Sequence, residues 1–258
     1  MGFNLTCTRR FLTELRDLIV VPEIQTSFQE DLGRTLGALY QAHQAPNGGF
    51  ITLPAVQWRE LVKDAQGSED LAEQLSYTFY HFRSIGGATE RIYLHVTMMN
   101  RARVVDFLLQ DVLPLAGVSN IKVAPPSSVE RFDTIVIYLA DQAAVNAALA
   151  RIATYQTHSR ALFEHGSPRL LKLVSEYNGV PLIGVAVGAE PQFDLQEQNG
   201  LLYRLNRPSS FGTVRSVIID FCLRHELALP DGNKQHFINS VLHCLRQAGI
   251  DPRMPFTG

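Results

Sequence analysis

The fold is decided by the stretch Glu90-Arg91-Ile92-Tyr93-Leu94-His95-Val96. Successive side chains of a β-strand point to opposite faces, so Ile92, Leu94 and Val96 share one face. This apolar face predicts packing against a core. Arg91, Tyr93 and His95 share the other face. A guanidinium, a phenol and an imidazole in one row are typical either of a surface strand or of the floor of an anion site.

Two further strands and a helix are predicted next to this stretch. Residues 103–113 carry apolar side chains at helical spacing. Lys122 stands between the β-branched Ile121 and Val123 in a second strand, which ends at Pro125 and Pro126. Residues 132–139 are rich in β-branched side chains and predict a third strand. We expect the three strands to lie in one sheet.

The chain before this region predicts helices. Apolar stripes recur through residues 1–85, including one over residues 71–82. We therefore predict a helical N-terminal subdomain over 1–85 and an α+β domain over 86–258, or one continuous domain. The fold class is α+β, with a helical N-terminal part followed by a mixed or antiparallel sheet and flanking helices.

The chain after this region alternates helices with extended segments. Residues 141–155 predict a helix with Asp141 as its N-cap. Residues 180–191 are apolar but interrupted by Gly and Pro, which predicts a buried extended segment. A helix is predicted from about Phe211 to residue 227, with Ser209 or Ser210 as its cap, and a last helix covers residues 234–248.

Composition narrows the classes of function. The 258 residues carry a net charge of −2, so no overall basic field indicates a nucleic-acid partner. No apolar run reaches the length of a membrane helix, and we predict a cytoplasmic protein with no membrane contact. The chain has three cysteines, widely spaced, so a disulfide framework is not expected. The cysteines and histidines near the C-terminus lack a standard zinc spacing, and no metal is predicted.

Basic side chains recur near strand ends and at one helix start. They are Arg91, Lys122, Arg131, Arg204, Arg207 and Arg215. Arginine forks suit phosphate oxygens, and a helix N-terminus such as that near Phe211 suits an anion. Each arginine is equally compatible with a solvated surface position. Lys122, if it lies among arginines in a partly dry cleft, should have a lowered pKa and serve as a general base.

Several of these segments resemble the Hop-A effector-like domain. They are residues 90–96, 121–126, 131–139, 180–191 and the stretch Ser210-Phe211-Gly212-Thr213-Val214-Arg215. That domain is known from a plant-pathogen effector and from bacterial peptide-modifying gene clusters. Proteins with this domain in thioamitide and class V lanthipeptide pathways are implied to be lyases. The resemblance therefore implies that this protein is a lyase. Its partners would be a precursor peptide phosphorylated on Ser or Thr and the kinase-like protein that phosphorylates it.

The order of elements is also similar, more distantly, to bacterial phosphothreonine lyases. On that match Lys122 falls at the general base and Arg131 at a phosphate-binding arginine. Tyr93 falls where those lyases place a histidine acid, so the acid is either Tyr93 or His95. Arg215, with Arg204, Arg207 and Arg91, would complete the phosphate site. The resemblance implies no metal and no cofactor.

Two other classes of function remain open from the sequence. One is a non-catalytic subunit that binds a peptide or phosphopeptide within a modification complex. The other is a secreted effector that binds a host protein. Lys122 distinguishes a lyase from a non-catalytic binding subunit. A lyase needs a neutral lysine beside the phosphate as its base, whereas a binding subunit does not.

The resemblance generates a first prediction, on phosphate binding. Arg131→Ala and Arg215→Ala should each weaken binding of a phosphopeptide by about 1.5–3 kcal/mol, the usual value of a charge-assisted hydrogen bond. Isothermal calorimetry on each folded variant measures this. An unchanged affinity in either variant would remove that arginine from the site.

Overall fold

The computed structural model describes residues 9, 12–13, 80–82, 86–124, 132–167, 171–227 and 234–254. Its contacts divide the chain into two compact units, which we name by their content. The sheet unit is Asn47–Gly188, and the hairpin unit is Met1–Pro46 with Ala189–Gly258. The boundary predicted near residue 85 stays a prediction, because most of the chain before it lies outside the described residues.

The α+β class is confirmed, since helices and antiparallel sheets occur together. The strands of the described regions are β1 (Tyr80–Phe82), β2 (Glu90–Leu94), β3 (Val118–Val123), β4 (Ile135–Leu139), β5 (Lys172–Leu173), β6 (Glu176–Tyr177), β7 (Val180–Pro181), β8 (Val185–Ala189), β9 (Asp194–Gln198) and β10 (Leu201–Leu205). The helices are α1 (Met98–Phe107), α2 (Gln142–Ser159), α3 (Phe211–Leu227) and α4 (Lys234–Gln247).

A six-stranded sheet with the order β1-β3-β4-β2-β8-β5 dominates the sheet unit. Strand β4 pairs antiparallel with β2 on one side and with β3 on the other. The prediction that these three strands share a sheet is confirmed. Ile92 and Ile121 both face Ile137 in register, and all three are fully buried in the core.

A β-bulge in β3 changes which of its side chains point to the core. Val118 pairs with Leu139, but Asn120 pairs with Tyr138, so Ser119 is the extra residue. Val118 and Ile121 are both buried in the core although they are three positions apart. Without the extra residue, one of them would turn away from the core, because strand side chains alternate.

Helix α1 begins earlier than the predicted start at Arg103 and continues as a π-helical turn over Leu108–Val112. Val104, Val105 and Leu108 are fully buried, as their spacing predicts. Arg101 lies on the same stripe and is fully buried as well. The charged residue on an apolar stripe concealed the first turn from the sequence pattern.

Helix α2 confirms the predicted cap. The Asp141 carboxylate accepts a hydrogen bond from the Ala144 N–H at 2.8 Å. The helix runs past the predicted end at Tyr155, and its face bearing Ala148, Leu149 and Ile152 joins the core.

The segment over residues 180–191 is extended, as predicted, and contains β7 and β8. Two short hairpins of the chain share one turn sequence. Asn178-Gly179 joins β6 to β7, and Asn199-Gly200 joins β9 to β10. All four residues have positive φ, which a type I′ turn requires and Asn-Gly tolerates.

The hairpin unit contains the β9–β10 ribbon and the packed pair of helices α3 and α4. The Ser210 hydroxyl accepts a hydrogen bond from the Thr213 N–H at 3.1 Å, so Ser210 is the N-cap of the two serines considered. Among the helices that the structure describes, none has the length and apolar character needed to cross a membrane.

One predicted helix is wrong at its end. Residues 80–82, the last three of the predicted helix over 71–82, form strand β1 and pair with β3. An aromatic-rich triplet fits a strand equally well, and the available edge of β3 provides backbone partners that the sequence pattern does not reveal. The rest of that predicted helix lies outside the described residues.

Gly184 joins three segments and allows a second prediction. Its carbonyl accepts the His95 N–H at 2.8 Å, and its φ is +63°. A Cβ at this position would collide with the backbone oxygen of Glu164 and lie 2.9 Å from that of His95. Gly179 has a similar φ of +79° but open space around it. Gly179→Ala should cost about 1–2 kcal/mol for its left-handed backbone, and Gly184→Ala clearly more.

Urea denaturation of the two glycine variants and the unmodified protein measures this difference. Gly179→Ala is the matched control, because it has the same backbone strain without the collision. Equal denaturation midpoints for both variants would show that the backbone around Gly184 accommodates a Cβ with no further loss of stability.

Candidate functional site

Lys122 and Tyr93 lie in one row across the sheet. In register, Tyr93 of β2 is opposite Val136 of β4, and Val136 is opposite Lys122 of β3. Residues directly opposite share a face, so Lys122 and Tyr93 project from the same side with Val136 between them. Two strand spacings separate their backbones by about 10 Å. The flanking Ile121 and Leu94 occupy the core face, which fixes the direction of both side chains.

Arg91 belongs to the adjacent row on the same face. It is opposite Tyr138, which is in turn opposite Asn120. The Arg91 guanidinium lies 4.2 Å from the centre of the Tyr138 ring, a cation–π contact. We call Arg91, Tyr93, Asn120, Lys122 and Tyr138 the polar face. The row of guanidinium, phenol and imidazole predicted on this strand thus borders a wider polar surface.

Burial differs across this face. Tyr93 is 3% exposed and Arg91 8% exposed. Lys122 and Tyr138 are half-buried. The apolar alternation correctly predicted a core face, but the opposite face of β2 is also covered and is not a plain solvent-facing surface. Lys122 is therefore more accessible to solvent than Tyr93.

His95 stands at the end of β2 and is held on both ring nitrogens. Its Nδ1 lies 2.8 Å from the His165 carbonyl oxygen, and that carbonyl can only accept, so Nδ1 carries a proton. Its Nε2 lies 3.3 Å from the Glu164 carboxylate. Burial lowers the pKa of His95, although the His165 hydrogen bond and the Glu164 charge oppose this effect. The ring also meets the edge of Phe132 at 5.0 Å between centroids.

Several buried polar side chains lie near this histidine, and the sequence patterns did not predict them. Arg101 and Asp133 are 0% and 1% exposed, and the charges of both act on His95. Arg101 donates to the Ala124 carbonyl at 3.0 Å, at the end of β3. The Thr134 hydroxyl connects the Leu94 carbonyl to the Val96 N–H. The available signal was Arg101 on the apolar stripe of α1, since full burial of a charge requires partners.

The predicted phosphate-binding arginines are distributed over the chain. Arg131 lies outside the described residues. Arg204 and Arg207 belong to the hairpin unit, in and after β10. Arg204 stacks over Phe193 at 4.0 Å and donates to the Ala248 carbonyl at 3.3 Å, near the end of α4.

Arg207 forms an ion pair with Asp194. Its Nε and Nη2 donate to one Asp194 oxygen at 2.9 and 2.6 Å. Burial raises the pKa of Asp194, but hydrogen bonds from Arg207, Ser209 and the Leu195 N–H outweigh it, and the pKa lies below its usual value. A phosphate on Arg207 would have to compete with this carboxylate.

Arg215 lies in the first turns of α3 and is 2% exposed. Its guanidinium lies 3.6 Å from the centre of the Phe211 ring and donates to the Phe211 carbonyl at 3.2 Å. The helix start that was predicted as an anion site already holds an anion of this chain, because the Phe211 N–H donates to the Glu190 carboxylate at 3.1 Å.

Asp220, also in the hairpin unit, has a strongly raised pKa. Burial raises its pKa to about 6, against the charge and hydrogen bond of Arg224. Arg224 also binds Glu197 of β9, so the three side chains tie the ribbon to α3. All three side chains belong to the hairpin unit.

The arrangement on the sheet unit combines an amine, a phenol and a guanidinium on one face with a histidine at the end of the same strand. This set can take up a proton, return one and hold an anion. Within the described ranges, no three His, Cys, Asp or Glu side chains come together in a way that would hold a metal ion.

The environment of His95 predicts a pH dependence of stability. The unfolded chain takes up a proton at His95 near pH 6.5, while burial keeps the folded ring neutral to lower pH. The unfolded state therefore binds more protons, and the free energy of unfolding should fall as the pH drops below about 6.5, by at most about 1.4 kcal/mol per pH unit.

His95→Gln should flatten this dependence between pH 7 and 5, measured by urea denaturation at each pH. His236→Gln, at an exposed position on α4, is the control and should leave the slope unchanged. A slope in His95→Gln equal to that of the unmodified protein would place the titration elsewhere.

Comparison with known proteins identifies the family. No curated protein matches the chain significantly. A solved effector protein from Pseudomonas syringae pv. syringae strain 61 has a similar fold, with 13% identity, a TM-score of 0.59, and coverage of 97% of this chain and 95% of that chain. The effector protein from Pseudomonas syringae pv. tomato strain DC3000 gives 16% identity, a TM-score of 0.49, and coverage of 92% and 82%. The model of the HopA1 effector protein family matches residues 71–257. Because this match spans well over half of the chain, the protein belongs to the HopA1 effector protein family.

Proposed function

We propose that this protein is a lyase that eliminates phosphate from phosphoserine or phosphothreonine of a precursor peptide and leaves dehydroalanine or dehydrobutyrine. The observation that carries the proposal is the row formed by Lys122, Val136 and Tyr93. It supports the pairing of a base with an acid that the resemblance to phosphothreonine lyases implies. Family membership supports the fold on which that resemblance rests.

The spacing of the row suits an elimination. Lys122 and Tyr93 are both long side chains, and about 10 Å between their backbones leaves room for one substrate residue between the two functional groups. The Val136 side chain between them is short and leaves this space open. Lys122 is the more accessible of the pair, so a peptide is expected to enter over β3.

The proposed reaction is a β-elimination. The neutral Lys122 amine removes the Cα proton, and the electrons of that C–H bond form the Cα–Cβ double bond. The Cβ–O bond breaks at the same time, and its electrons leave with the phosphate. An acid protonates the departing oxygen, so that the products are the dehydroamino acid and inorganic phosphate. Cations stabilise the charge that builds up on the leaving group.

The acid is either Tyr93 or His95. Tyr93 lies in the row with Lys122 and fits a direct role. His95 lies two residues further along, with its orientation set by the His165 carbonyl. Its Nε2 already faces Glu164, which would supply a route for returning a proton from solvent, since Glu164 is half exposed.

The phosphate site is proposed on the polar face of the sheet unit. Arg91 is the arginine nearest to Tyr93 along β2 and lies on the same face. That Arg131, Arg204, Arg207 and Arg215 also bind phosphate, as the resemblance implies, stays a prediction. Of these, Arg207 is already paired with Asp194, Arg204 donates to the Ala248 carbonyl, and Arg215 donates to the Phe211 carbonyl.

The burial of the two candidate acids favours a second function. Tyr93 and His95 are 3% and 7% exposed, so the polar face could hold a phosphate without delivering a proton. The protein would then be a phosphopeptide-binding subunit that works beside a kinase-like partner. A role as an effector that binds a host protein, in keeping with the family description, needs neither the lysine nor the row.

Lys122 provides the decisive prediction. Lys122→Met keeps the apolar stem and removes the amine, so it should abolish elimination and leave phosphopeptide affinity nearly unchanged. Lys122→Arg should be equally inactive, because a guanidinium does not lose its proton near neutral pH. Lys172→Met, at an exposed lysine of β5 in the same sheet, is the matched control and should retain full activity.

The measurement is a single-turnover reaction on a phosphorylated precursor peptide, followed by mass spectrometry. Elimination removes the mass of phosphoric acid at each site, whereas hydrolysis removes the phosphoryl group and restores the hydroxyl. Formation of dehydroamino acid by Lys122→Met at the unmodified rate would refute Lys122 as the base. Binding without any elimination by the unmodified protein, even with the kinase-like partner present, would support the phosphopeptide-binding subunit instead.

A further inference from the structure

The two cysteines of the α3–α4 pair face each other. Cys222 of α3 and Cys244 of α4 are 22 positions apart in the sequence, and their sulfur atoms lie 3.7 Å apart. Neither cysteine is in a disulfide. Ile218, Val241 and Leu245 are buried on the same two helices. A buried thiol acts as a small hydrophobic side chain, which accounts for the burial of Cys222 but not for its proximity to Cys244.

The two thiols differ in reactivity. Cys222 is 2% exposed, while Cys244 is half-buried and reaches solvent. The Cys222 S–H donates to the Cys244 sulfur, and this hydrogen bond lowers the pKa of Cys244 against the opposing effect of burial. A thiolate is the reactive form of cysteine, so Cys244 is the thiol that attacks first. Cys222 is placed to attack second.

We propose that Cys222 and Cys244 form a modification site that reacts with low-molecular-weight disulfides and closes reversibly to a disulfide between α3 and α4. A protein disulfide needs a sulfur–sulfur distance near 2.05 Å, and the two thiols start from 3.7 Å. Reversible disulfides of this kind occur in reducing compartments as redox-sensing devices. The inference is independent of the proposed lyase function, because none of its residues belongs to the polar face.

The reaction balances in two exchanges. The Cys244 thiolate attacks one sulfur of the small disulfide, forms a mixed disulfide and releases one small thiolate. The Cys222 thiolate then attacks the Cys244 sulfur, forms the internal disulfide and releases the second small thiolate. Two protein thiols are oxidised and one small disulfide is reduced to two thiols, with the two protein protons taken up by the released thiolates. The small disulfide is the oxidant.

The test uses the full chain with Cys7→Ser, so that only Cys222 and Cys244 remain of the three cysteines. The folded protein is incubated with mixtures of oxidised and reduced glutathione. The exchange is quenched with acid, and the intact mass is measured by mass spectrometry. We expect a loss of two hydrogen atoms, a peptide map that joins Cys222 to Cys244, and full reversal by excess reduced glutathione. The thermal midpoint should rise in the oxidised form, because the crosslink restricts the unfolded chain.

Single replacements in the same background test the order of attack. With Cys222→Ser, we expect a stable glutathione adduct on Cys244. With Cys244→Ser, the buried Cys222 should remain unmodified while the protein is folded. Differential alkylation of the protein that retains all its cysteines answers the same question should either serine variant fail to fold.

Two results would overturn the proposal. One is the absence of the mass loss in the folded protein under conditions that oxidise the denatured chain. The other is an adduct that forms on Cys222 in Cys244→Ser but not on Cys244 in Cys222→Ser. Neither result bears on elimination, and a failed elimination assay would leave the thiol result unchanged.

Discussion

The antiparallel pairing of β2 and β3 on the two sides of β4 is the constraint on which the candidate site depends. This pairing sets Tyr93, Val136 and Lys122 opposite one another, and no other contact is needed to align them. The bulge at Ser119 belongs to the same constraint. It lets β3 keep apolar residues in the core on both sides of the irregularity, so Lys122 stays on the polar face. A one-residue slip would move every side chain of the strand to the opposite face.

Buried polar groups contact the backbone at the ends of these strands. Thr134 bridges backbone groups of β2, Arg101 reaches the carbonyl after β3, and Asp133 precedes β4. Because unpaired charges are costly in the interior, these side chains restrict the geometry near His95 more tightly than hydrophobic contacts would. Gly184 contributes by allowing the backbones of His95 and Glu164 to approach closely. A rigid surrounding of this kind is what an acid or base needs in order to keep its orientation.

Arginines that are predicted from the sequence to bind phosphate can already have partners in the folded protein, as the hairpin unit shows. Arg207, Arg204 and Arg215 are each engaged with groups of their own unit. An arginine that is already paired with a carboxylate, as Arg207 is, contributes to phosphate binding only if that partner is exchanged. Arg91, by contrast, lies on the polar face itself, where it stacks on Tyr138.

The sequence by itself determined the α+β class, the apolar face of β2, the cap at Asp141, the extended segment over 180–191 and the resemblance to the effector family. It also contained both Asn-Gly turns, whose backbone preference is local. Each of these depends on neighbours in the chain. The row of Tyr93 and Lys122, the strand at residues 80–82 and the approach of Cys222 to Cys244 were decided by the tertiary structure. Register, edge pairing and helix packing join residues distant in sequence, and local periodicity contains no information about which distant partner is chosen.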